Sequence, residues 1–169
     1  SEEESRRLFE IITLITNLEH IGDVIDKNLR ELAEKKIRKR YSFSPEGLAE
    51  IRDFHHRVAS ALALALNVFA TRDLELARQL FADKAAMRDA ERRATDSHFQ
   101  RLRSGRAESI ETSAIHLDII RDLKRIHGHA VAIGYPILES ANALRESRLK
   151  ADEESKSEVK LAAAPQPGR

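Results

Sequence analysis

Residues that bend or break a chain are scarce in this sequence, and that scarcity governs what it can fold into. Its 169 residues hold six glycines and four prolines, and two of those prolines fall in the last five positions. An all-β sandwich asks for a turn signal every ~8–12 residues, which this chain does not supply. Long helices remain. The 34% charged content, against a usual share of about 25%, suits helices with wetted outer faces, and 169 residues suit one domain.

Several classes are excluded at once. With no cysteine there is no disulfide framework, thiolate nucleophile or Cys-ligated zinc or iron–sulfur site. A net charge of +1 argues against a general nucleic-acid binder, which carries a clear basic excess. The longest apolar run, Ala59 to Ala70, is interrupted by Ser60 and Asn67 and falls short of the ~18 residues that cross a bilayer. Ser1 to Arg7 is polar and unlike a signal sequence. The only methionine is Met87, so the expectation is a chain processed or cut from something longer.

Apolar residues recur at helical spacing in four stretches. The first runs from about Glu3 to Lys39, with Leu8, Ile11, Ile15, Leu18, Ile25, Leu29 and Leu32 on one stripe expected to face the core. Ser44 as N-cap and Pro45 as first helical residue open the second, which carries Ile51, Phe54, Val58, Leu62, Ala65 and Phe69 and ends near Thr71. Asp73 caps the third, with Leu76, Leu80, Met87, Ala90 and Ala94 inward, and Arg103–Arg106 closes it. The fourth runs from about Glu108 on Ile115, Ile119, Leu123, Ile126, Ile133 and Ile137, and Pro136 must kink or end it. Periodicity fails from Glu146, so residues 1–147 form the expected domain and 148–169 a disordered tail. Short loops make neighbours antiparallel. The predicted fold is all-α: an antiparallel up-down bundle of four long helices. Gly22 and Gly128 are expected to permit close helix approach.

Polar groups break three of these stripes. Glu19 and Asp23 lie four apart on the first helix; Asp118, Asp122 and His129 form a column on the fourth; Glu91 and His98 sit among the inward residues of the third. Carboxylates four apart project from one helix face, and pairs on facing helices, with histidine nitrogen, can surround a cation. The same acids can instead pair with Arg121, Lys124 or Arg125 and hold register between helices. A ferritin-like di-iron site is excluded, since Asp53-Phe54-His55-His56 is the nearest match to its Glu-x-x-His motif and has no second copy. No Gly-rich phosphate loop or nucleophile–base pair stands out, so no enzyme is predicted.

Leu18-Glu19-His20-Ile21-Gly22-Asp23 resembles the signature helix of the phosphate-uptake regulator (PhoU) family, and Leu117 to Leu138, LDIIRDLKRIHGHAVAIGYPIL, is similar to the cytosolic C-terminal PhoU-like domain of bacterial sodium/phosphate cotransporters. Asp96 to Leu102 fits the same branch more loosely. The resemblance implies a regulatory domain on the cytoplasmic side of the bacterial inner membrane, with a membrane transporter domain preceding Ser1. It also implies a bound divalent or ferric metal ion, iron or zinc first, on Glu19 and Asp23. Adding the inward acids and histidines gives the candidate metal set Glu19, Asp23, Glu91, His98, Asp118, Asp122 and His129. Lys124 and Gly128 stand where the second family motif has Glu and Asp. The alternative is a metal-free interaction or dimerisation bundle, and composition leaves a homodimer open.

Overall fold

A computed structural model describes residues 1–142; the domain end at 147 and the tail at 148–169 lie outside the described residues. The first long helix comprises α1 (Glu2–Asp23), a π segment (Val24–Leu29) and α2 (Arg30–Arg38). It is followed by α3 (Pro45–Thr71), α4 (Leu74–Arg103), α5 (Ala107–Ala132) and α6, described over 135–142. The four long helices form the all-α bundle, with no strand among the described residues.

The ends form as their chemistry dictates. Ser44 Oγ accepts from the Gly47 amide at 3.2 Å ahead of Pro45, and Asp73 Oδ1 accepts from the amides of Glu75 and Leu76 at 2.8 and 3.1 Å. Such caps satisfy amides that the first helical turn leaves unpaired. Gly105, at φ 70°, turns the chain out of α4. α5 gives way at Ile133–Gly134 just before Pro136, and a Cβ at Gly134 would lie 3.2 Å from Leu80 Cδ2. That is the close approach a glycine permits. Gly22 and Gly128 do not serve this way, because a Cβ at either meets nothing within 4 Å.

α5 is the hub. It is buried on several sides, from Ile115 and Ile120 to Leu123, Ile126 and Val131, as a helix surrounded by others must be. One core cluster centres on Phe54, Met87, Leu123 and Ile126, and the other on Val68, Leu80, Val131 and Ile133. Most inward residues expected on α3, α4 and α5 are in these clusters.

α1 is rotated from its expected setting. Leu8, Ile11, Ile15, Leu18 and Ile25 lie outside, each at least 36% exposed. A second, more polar seam faces the bundle instead: Glu10, Ile21 and Val24 are buried, with Leu14 and Asn17 half-buried between them. Glu10 is answered at both oxygens, by Arg7 Nη1 at 2.8 Å and Arg72 Nη2 at 2.9 Å. Arg7 also lies over the Phe69 ring at 4.4 Å. Periodicity reveals that a stripe exists but not which neighbour it meets, and here the paired carboxylate goes in. The π segment then shifts the phase. Its Arg30 amide donates to Ile25 O, five residues back, so Leu29 and Leu32 turn to half-buried positions while Ile25 stays out.

This rotation predicts unequal effects from two isoleucines of one helix. In urea unfolding of dilute protein, Ile21→Ala should cost about 2–4 kcal/mol, as core truncations do, and Ile15→Ala should cost far less. Equal losses would contradict the setting.

Candidate functional site

Where α1 and the π segment lie against α5, an open groove is lined by His20, Asp23, Lys27, Asn28, Arg125 and His129. π segments recur at functional sites because the helix there departs from its regular hydrogen bonding. The His20 and His129 rings meet at 4.8 Å, tilted by 43°. Asn17 Nδ2 donates to Thr13 O at 2.8 Å, so its Oδ1 is the atom facing His129 Nδ1 at 3.0 Å. The proton is therefore assigned to Nδ1, leaving Nε2 as an acceptor. Burial, then the neighbouring His20 and Arg125, hold the His129 pKa below its usual value.

The candidate metal ligands do not gather in this groove. Asp23 and His129 line it, with Asp23 taken by Lys27 Nζ at 2.9 Å. Glu19 stands exposed one turn away. Asp118 pairs with Arg121 at 2.9 Å. Asp122 is fully buried; its Oδ1 accepts from Arg125 Nη1 at 3.1 Å with Arg121 Nε at 3.5 Å, while its Oδ2 lacks a partner. On the α4 side, Glu91 is bonded by Lys124 Nζ at 2.5 Å. His98 faces a different neighbourhood, with Nε2 at 2.8 Å from Ser113 Oγ. Among the described residues, no three histidine, aspartate or glutamate side chains converge to hold a metal ion. The seven residues thus stand apart from one another, and of the five acids all but Glu19 have a cationic side chain in reach. Lys124, standing where the family motif has a carboxylate, supplies one of those charges itself.

Sequence reading missed the polar cluster at the end of the bundle where α3 begins and α4 ends. Arg101, 7% exposed, grips Glu50 with two nitrogens at 2.7 and 2.8 Å and also donates to Ser97 Oγ. His116 Nε2 lies 3.1 Å from Glu50 Oε2 but out of line for a hydrogen bond, and its ring stacks on His98 at 4.8 Å and 9°. Burial pushes the Glu50 carboxyl up, but His116, Arg101 and Ser97 outweigh it and bring its pKa to about 2. Burial, His116 and Arg101 push His98 down. The sequence signal was available: Glu50, Ser97, Arg101 and His116 each fall on or beside an inward stripe, yet they are spread over three helices. His127 makes a further buried contact, to Asp83 at 2.7 Å.

Two predictions follow from these pairs. His98 and His129 both have lowered folded pKa values, so the unfolded chain binds more protons once pH falls below about 6.5. Their contribution is complete above that value and is lost below it. The melting temperature should fall between about pH 7.5 and about pH 5, and the His98→Gln/His129→Gln variant should flatten that slope; a flat wild-type profile would contradict the assignment. Chelation should leave melting unchanged to within about 1 °C, since metal held by the fold would couple to its stability. A loss of several degrees would show that a metal is part of the fold.

A family model described as the PhoU domain matches residues 51–136, from within α3 to the start of α6. The chain is also 39% identical over 137 residues to the putative inorganic phosphate export protein YjbB of Salmonella typhimurium, covering 81% of this chain and 25% of that protein. The protein of the same name in Escherichia coli K12 is 37% identical over 139 residues, 82% of this chain and 26% of the relative. The chain thus spans about a quarter of the length of these relatives. No solved structure gives a significant match. With the family model covering just over half its length, the chain belongs to the PhoU domain family.

Proposed function

We propose that this chain is the regulatory helical module of a phosphate-transport protein, acting on the cytoplasmic side of the membrane through contacts with the transporter. The observation that carries the reading is the similarity, over four-fifths of the chain, to proteins named for phosphate export. The likeness of Leu117–Leu138 to sodium/phosphate cotransporter domains supports a sodium-coupled transporter as the context. No helix among the described residues is long and apolar enough to cross a membrane; in this reading the transport step lies with the part of such relatives that this chain, spanning about a quarter of their length, does not cover.

The geometry favours binding over catalysis. His98 beside Ser113 is the kind of pair that activates a hydroxyl, but the His98 ring is 1% exposed, out of reach of a substrate. The open groove by the π segment is lined by both charges and by two histidines, and Lys27 there is half of an exposed ion pair with Asp23. Such a pair can be exchanged for one with a partner at little cost, because exposed pairs contribute only about 0–1 kcal/mol.

The test is radiolabelled phosphate flux in cells carrying the full-length protein, with and without this helical unit. Flux should persist without it but lose its dependence on the phosphate supply. Identical responses in both would contradict the proposal.

A further inference from the structure

We propose that the outer face of α1 is a self-association surface, on which a second copy of this chain docks helix to helix. Leu8, Ile11, Ile15 and Leu18 recur at alternating spacings of three and four, continued by Ile25 seven residues beyond Leu18. This is the spacing at which one helix presents a continuous seam to another. Every one of them is exposed, by 36–58%, and Phe9 and Ile12 widen the strip at 56% and 52%. Between Arg7 and Glu19 the only charged residue is Glu10, and it is turned inward. A chain with 34% charged residues therefore keeps three turns of surface helix free of outward charge.

The extent of the strip identifies the occupant. These seven side chains present on the order of 600 Å² of apolar surface, approaching the ~800 Å² per partner of a standard interface and at the upper end of what a monomer leaves in its largest patch. Leu and Ile occupy both positions of the seam, and no polar residue interrupts it from Leu8 to Leu18. The strip is thus self-complementary, which is what a two-fold contact between identical surfaces needs. A membrane is the poorer match. Up to Asp26 the helix carries Glu2, Glu3, Glu4, Glu19, Asp23 and Asp26 outward against Arg6 and Arg7, and such a flank is repelled by anionic lipid. The strip lies outside the residues matched by the family model, and self-association through it does not depend on the phosphate reading.

The test is the mass of the 169-residue chain in solution by sedimentation equilibrium across a wide concentration range. The wild type should reach twice 19.1 kDa, and Ile11→Glu/Ile15→Glu should raise the dissociation constant at least a hundredfold, roughly 2.7 kcal/mol, with helical circular dichroism retained. The chain has no cysteine, so single-cysteine variants give a second readout that does not depend on the acidic variant folding. Ile15→Cys, near the middle of the strip, should form a disulfide-linked dimer in either helix orientation, whereas Phe99→Cys, exposed on α4, should not. Any of three results would overturn the proposal. One is a wild type monomeric throughout, which would assign the face to a helix of another chain or of a longer polypeptide. Another is a monomer that co-sediments with phosphatidylglycerol vesicles. The third is a dimer indifferent to the acidic variant in which Ile15→Cys does not cross-link.

Discussion

The bond pair that closes on Glu10 determines how the first helix sits, and much else depends on that setting. A carboxylate 2% exposed is tolerable only when its oxygens are satisfied. Arg7 from its own helix and Arg72 from the left-handed turn after α3 supply one bond each. Together they bring the start of α1 to the end of α3, and Asn17 against His129 sets the next contact along α5. With that seam inward, Ile21 and Val24 enter the core beside Phe54 and Ile126. The richer apolar stripe is left outside, and the His20–His129 groove opens beside the π segment.

Three further acids of the polar interior are each answered by a cation of the chain itself. Glu50 has Arg101, Asp122 has Arg125, and Glu91 has Lys124. Breaking the Glu50 or Asp122 pair strands a buried charge, which is costlier than never having buried it. These pairs also account for why carboxylates in a bundle interior do not by themselves make a metal site. The distinction lies in the side chain that occupies the space a cation would need.

Much of this was legible from residue spacing. The helix count, the Ser44 and Asp73 caps, the break before Pro136 and the inward residues of α3, α4 and α5 all follow from periodicity and capping chemistry. What spacing could not supply was partner identity. α1 carries two seams, Leu8–Ile11–Ile15–Leu18 and Glu10–Leu14–Asn17–Ile21, and only the tertiary contacts of Glu10 and Asn17 choose between them. The π segment was hidden for a related reason, because nothing in Val24–Leu29 breaks a helix by propensity. The candidate ligands were located on the correct helices, but their nearest neighbours are set by side chains on other helices or one turn away. The Glu50–Arg101–His116 cluster joins three helices and was invisible to any reading of one helix at a time.

The setting of α1 is tested most directly by methyl NMR on isotope-labelled protein, with filtering to separate contacts within one chain from those between copies. Ile21 and Val24 methyls should show intrachain contacts to the Phe54 ring and to the Leu123 and Ile126 methyls, while Ile11 and Ile15 show none to α3 or α5. The reverse pattern, with Ile11 and Ile15 against the core and Ile21 free, would contradict the account.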